Sequence, residues 1–138
     1  MNHSRKRILI SDCDAEVLIA LERLLEDDGF DTTTASTMDE TLRYLQQGQY
    51  DLVLAADHPP EMNCERLLRE SRTRSTPVIA MENTPRHPFA GLYLLSLGAR
   101  KIVHKWEREE VESAVNELLM VQAGKAAKSA VAGTANLG

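Results

Sequence analysis

Five apolar residues in a row, Leu52-Val53-Leu54-Ala55-Ala56, stand between Asp51 and Asp57 with no polar side chain to provide a wet face. A strand of this kind has to be covered on both sides, which is the situation of a strand inside a parallel sheet. Similar segments recur along the chain. Ile8-Leu9-Ile10 runs into Ser11-Asp12-Cys13-Asp14 and marks a first strand over residues 6–11, and Pro77-Val78-Ile79-Ala80-Met81 reads as a fourth strand with proline at its entry. Phe30 to Thr34 is a weaker second strand carried by its threonines, and Lys101 to His104 a short fifth.

Between these segments the apolar period lengthens. Val17, Leu18, Leu21, Leu24 and Leu25 fall on one helical face that stops at Gly29. Ser36 with Asp39 resembles the capped start of a second helix carrying Met38, Leu42 and Leu45. Leu67 and Leu68 anchor a third, a fourth runs from about residue 88 to 97 and ends at Gly98, and Val111, Val115, Leu118 and Leu119 form the stripe of a fifth. Strict alternation of strands and helices predicts an α/β domain with a doubly wound parallel sheet of five strands and right-handed crossovers. Ligands of such sheets bind beyond the carboxyl ends of the strands. The residues there are Asp12, Cys13 and Asp14, Ala56 and Asp57, Glu82 and Asn83, and Lys105.

With 138 residues the chain has room for one domain, expected over 6–121, with flexible ends at 1–5 and 122–138. The last segment is small and polar, with only Val131 and Leu137 as larger apolar residues. A net charge of -5 disfavours nonspecific binding to nucleic acid or an anionic membrane. No segment approaches the length of a membrane span. Two cysteines, Cys13 and Cys64, with no metal-ligand spacing, fit a reducing cytoplasm. A redox bridge between them is conceivable because both lie in loops at one sheet edge. His58 and His104, with Asp12, lie near strand ends without the spacing of a metal site, and Arg66, Arg69 and Arg72 form a basic stripe that reads as a solvated helix face.

Taken together, Ile8-Leu9-Ile10-Ser11-Asp12-Cys13-Asp14, Tyr50-Asp51-Leu52-Val53-Leu54, Pro60 with Met62, Pro77-Val78-Ile79, and Gly98-Ala99 followed by Lys105 resemble a response-regulator receiver domain. The resemblance covers about residues 6–121 and implies a flavodoxin-like three-layer α/β/α fold in two-component signalling. Such domains accept a phosphoryl group from a histidine kinase on an aspartate. Counted back from Pro60, that acceptor position is Ala56, which has no nucleophilic atom. The acidic pair at the end of the first strand is reduced to Asp12 with Cys13, a poor magnesium site, so no cofactor is expected. The hydroxyl position after the fourth strand is Glu82, the aromatic switch position is Ile102, and Trp106 replaces the proline after Lys105.

Joint loss of these groups points to an atypical receiver, or pseudo-receiver, that is not an enzyme and acts through protein interaction independent of phosphorylation. The alternative is a working receiver in a phosphorelay whose acceptor is Asp57. Side-chain alternation along a strand points Asp57 away from the direction of Ala56, so that reading needs a bend at Pro59-Pro60. Lys105 and Glu82 are placed to face each other across the acceptor position, either as an ion pair that fixes one conformation or as a partly solvated pair worth at most about 1 kcal/mol. The fourth helix is apolar almost all round. The face formed by the fourth helix, fifth strand and fifth helix, with Leu92, Tyr93, Leu95, Ile102 and Trp106, is therefore expected to meet a protein partner or a second copy of the chain. No DNA-binding output and no membrane contact are expected.

Overall fold

The computed structural model describes residues 5–82 and 89–130, with side chains of 71, 72 and 120–130 excepted. Five strands and five helices follow one another: β1 Arg7–Ser11, α1 Ala15–Asp27, β2 Asp31–Ala35, α2 Met38–Gln47, β3 Leu52–Ala56, α3 Cys64–Arg69, β4 Val78–Glu82, α4 Ala90–Ser96, β5 Lys101–His104 and α5 Arg108–Ala130. A short 3-10 turn, Ser71–Arg74, leads into β4. The strands form one sheet in the order β2-β1-β3-β4-β5, parallel throughout. The expected flavodoxin-like architecture is what the chain adopts.

Burial explains the order. β3 is wholly buried, and Ile8, Leu9 and Ile10 of β1 and Val78 to Met81 of β4 are buried beside it. Because both faces of this central trio are apolar, helices must cover each of them. The edge strands need less cover, and β2, with three half-buried threonines, and β5 take the flanks. Right-handed crossovers then put α1 and α5 on one face and α2, α3 and α4 on the other. Their apolar stripes complete a single core through Val17, Leu21 and Leu25, Met38 and Leu45, Leu67, Leu94, and Val111, Val115 and Leu119.

Helix starts are written in short polar side chains. Asp14 caps α1 by accepting from the Glu16 amide, and Asn63 caps α3 by accepting from the Arg66 amide. For α2 the cap is Thr37 rather than Ser36. The Thr37 hydroxyl accepts from the Glu40 amide at 3.0 Å, while the Glu40 carboxylate accepts from the Ser36 amide at 2.7 Å. Two exposed donors are thus satisfied from both sides of the cap. One residue of α2 also reaches the sheet, since the Thr41 hydroxyl lies 2.6 Å from that of Ser11 in a buried pair. After α1 and α4 the chain turns through Gly29 and Gly98 at φ 96° and 118°, a region where a Cβ is strained.

The fifth helix differs from expectation. It continues to Ala130, eight residues past the point at which a flexible tail begins in the sequence reading. The segment after Gln122 lacks apolar bulk but is rich in alanine and lysine, which are among the best helix formers. The remainder of that tail, 131–138, lies outside the described residues, as do Asn83, Pro88 and all but Arg5 of the flexible start.

Where α1 ends against α5, Glu112 meets Asp28. Hydrogen bonding to Asp28, then burial, then the Asp28 charge hold the Glu112 carboxyl above its usual value of 4.5, against the pull of Arg108. The folded chain therefore binds this proton more tightly than the unfolded one, and the contact is strongest below the ordinary carboxylate range. Its contribution is lost as pH rises from about 4.5 through the raised folded value. Thermal melts of Glu112→Gln against the parent are expected to show a shallower fall of stability over that window.

Candidate functional site at the carboxyl edge of the sheet

The parallel register carries the ends of β1, β3, β4 and β5 to one edge. Ala55 pairs with Ser11, Ala56 with Met81, and Glu82 with His104, so the residues just beyond are neighbours despite their separation in sequence. Asp12 follows β1 and is fully buried, its amide bonded to the carbonyl of Ala35. Lys105 follows β5, its amide bonded to the carbonyl of Glu82 at 2.9 Å. The Lys105 Nζ then reaches across the edge to Asp12, 3.1 Å from Oδ2 and 3.4 Å from Oδ1. The two side chains are 6% and 0% exposed, so this is a buried ion pair. Asp12 Oδ1 also accepts from the Asp14 amide at 2.9 Å, which ties the pair to the start of α1.

The sequence placed Lys105 opposite Glu82, and the structure gives the lysine to Asp12 instead. Glu82 meets Lys105 through its backbone while its half-buried side chain stays outside the pair. The choice follows from depth. A lysine entering a site closed to water is stabilised by a carboxylate equally removed from water, where their attraction is least screened.

Ala56, the residue expected from the sequence at the acceptor position, is fully buried and presents only a methyl group. Asp57 is buried as well, and its Oδ1 accepts from the Cys64 amide at 3.3 Å, directing that carboxylate to the start of α3. The following peptide, Pro59-Pro60, is cis. Cys64 is buried with its thiol 3.4 Å and 3.5 Å from the carbonyls of Ala55 and Ala56, whereas Cys13 is exposed; neither is in a disulfide. His58 pairs through its backbone with Met62, and His104 lies 3.5 Å from Glu110. Among the described residues no group of three or more histidine, cysteine or acidic side chains is arranged to hold a metal ion. Arg66 and Arg69 of the basic stripe pair with Asp39 and Glu65.

On the flank of this edge, α4 buries only Leu94 and exposes Leu92, Tyr93 and Leu95. Ile102 is half-buried beneath α4, where a Cβ on Gly91 would sit 3.5 Å from it. Ile102 packs partly against the core and also lines an open groove between β5 and α5. Tyr93 is tethered to α3 by the Arg69 guanidinium, which donates to its hydroxyl at 3.4 Å; this bond and Glu65 hold Arg69 above its usual range. Trp106 is exposed but does not join the α4 face. It borders a cavity of about 260 Å3 with Val17, Leu21 and Leu24, on the α1 side. The sequence expectation that Trp106 edges the α4 surface is corrected by the turn after β5, which sends the residue next to Lys105 towards α1.

Architecture and edge together define a doubly wound signalling-type α/β domain, and residues 8–116 match the family model of the response regulator receiver domain. The chain belongs to that family and is a receiver domain of two-component signalling. Its fold is similar to that of a CheY-like receiver domain protein from Methanospirillum hungatei JF-1, with a TM-score of 0.76 at 23% identity over 88% of this chain and 99% of the other. A two-component response regulator from Clostridium difficile superposes with a TM-score of 0.75 at 20% identity, over 84% and 97% of the two chains. The receiver domain of a putative Luxo repressor protein from Vibrio parahaemolyticus gives 0.78 at 17% identity, over 88% and 95%. No curated protein matches the sequence. Among the described residues no helix is long and apolar enough to cross a membrane.

The ion pair makes a direct prediction. Lys105→Met strands Asp12 without its counter-charge and is expected to destabilise the fold by about 3–5 kcal/mol, whereas Asp12→Asn combined with Lys105→Met recovers much of that loss. Urea unfolding of the two single variants and the double variant measures the coupling.

Proposed function

We propose that this receiver works without phosphoryl transfer, as a binding module that signals through another protein. The observation that carries the reading is Lys105 engaged by Asp12 at the edge where Ala56, which we take as the acceptor position, offers only a methyl group. In a receiver that is phosphorylated, a lysine at this edge has a phosphoryl group to meet; here its charge is satisfied in the resting fold. Glu82 adds a carboxylate beside the same edge, which repels phosphoryl oxygens.

Magnesium does not suit the groups present. It requires near-octahedral oxygen coordination, while Asp12 already receives Lys105 and an amide, Cys13 offers sulfur, and Ala56 offers nothing. Asp57, the alternative acceptor, is engaged with the α3 amide, which favours a structural role for its carboxylate. The protein is accordingly not an enzyme. We place it in the cytoplasm, where its two unbridged thiols are stable.

Output is assigned to the α4 face. Leu92, Tyr93 and Leu95 expose apolar surface on one short helix, and anchors of this type dominate the energetics of protein contacts. The partner is another protein or a second copy of this chain, with neither nucleic acid nor membrane involved.

Intact mass after incubation with acetyl phosphate and magnesium tests the first claim. No phosphoryl adduct is expected; an adduct that disappears in Asp57→Asn would make this a phosphorylated receiver using that residue. The second claim is tested by Leu92→Asp, expected to weaken association at least about tenfold with an unchanged melting temperature. Trp106→Ala, on the α1 side, is expected to have the smaller effect, and sedimentation of the pure chain together with pull-downs reads both.

A further inference from the structure

The opposite edge of the sheet, where the strands begin, carries a polar cleft of about 410 Å3 lined by Arg5, Arg7, Gln49, Tyr50, Asp51, Ser75 and Thr76, with Leu45 and Gly48 also in its lining. From this cleft we propose a binding site for a small phosphorylated ligand of nucleotide size, its phosphate held by Arg5 and Arg7.

Charge is the first support. The chain as a whole is at -5, yet both arginines at the entry to β1 converge on this cleft. A second cavity of about 210 Å3 adjoins it through Ser75 and adds Arg74 and Arg100. Positive charge is thus gathered on the amino edge of the sheet in an acidic protein, and a low-dielectric wall beneath focuses its field outward.

Preorganisation is the second. The Arg7 guanidinium lies 4.8 Å over the centre of the Tyr50 ring, which holds the planar fork in place. The acid within the cleft is occupied in holding the frame: Asp51 accepts from the Arg7 amide at 2.8 Å, while its own amide donates to the Arg7 carbonyl. Arg5 meets Asp31 at 3.7 Å, but both side chains are more than half exposed, so the pair is weak and the guanidinium is free to turn to a ligand.

The third is that arginines and the end of a helix share one lining. Leu45 and Gly48 mark the carboxyl end of α2, where the helix dipole presents its negative pole. An anionic group therefore belongs against the arginines and a group bearing N–H or O–H donors against α2. Inorganic phosphate satisfies one end only, whereas a nucleotide, with phosphate at one end and an amino-bearing base at the other, satisfies both. The volume is in the range of small-molecule sites.

Titration of the full chain with AMP, followed by backbone amide NMR, tests the site, with adenosine and inorganic phosphate titrated separately. Saturable shifts at Gln49 to Asp51 and Ser75 to Thr76 are expected, with a dissociation constant below about 1 mM. Arg7→Gln keeps the backbone bond to Asp51 and is expected to weaken AMP binding at least about tenfold; Arg5→Gln, at an exposed position, serves as an independent second variant. Absence of saturable shifts, shifts centred on the Lys105 edge, or full affinity retained in both variants overturns the proposal. Inorganic phosphate binding as tightly as AMP overturns the assignment to a nucleotide-sized ligand.

Discussion

Three adjacent strands with no polar face set the terms for everything else in this molecule. β1, β3 and β4 are covered by protein above and below, and each fully buried Leu or Ile is worth about 1.5–3 kcal/mol relative to exposure. Such strands have only their two ends open to water. Polar and charged residues are thereby confined to the two edges of the sheet, and parallel pairing sends all carboxyl ends to the same one. The meeting of Asp12 with Lys105, 93 residues apart, follows from that confinement.

The two edges are chemically unlike. At the carboxyl edge a cation is drawn inward and neutralised, leaving methyl, thiol and carboxylate groups around it. At the amino edge arginines remain at the surface on an aromatic support. A domain with this division has one end that is electrostatically closed and one that is open, although its net charge alone describes it as mildly acidic.

Most of the architecture was legible in the sequence because a buried parallel strand has an unambiguous signature. Leu52 to Ala56 and Val78 to Met81 are strands in the structure as they are in the sequence reading. What sequence hid depends on three-dimensional reach. The partner of Lys105 was misread because strand position tells which residues share an edge but not which of two acids lies deeper. The same holds for Trp106, whose direction is set by a turn. The end of α5 is hard to read for another reason: the segment after Gln122 lacks apolar bulk yet is rich in helix-forming alanine and lysine. The amino-edge cleft is not legible in the sequence because Arg5, Arg7, Tyr50 and Ser75 come from three separate stretches of chain, Arg5 from the expected flexible end and Arg7 from the first strand.

The pairing of Asp12 with Lys105 also bears on how freely this chain can change. Ala55 is in register with Ser11, so the next residues, Ala56 and Asp12, are neighbours at the edge. An aspartate restored at position 56 would set two carboxylates around a single lysine in a space shut off from water, and like charges so placed resist joint ionisation. Relief would need a further cation or a further acid to recruit one, at Cys13 for instance, and therefore a second substitution before the first is tolerated. In mutational terms the arrangement couples position 56 to Asp12 and Lys105, so the three are expected to change together.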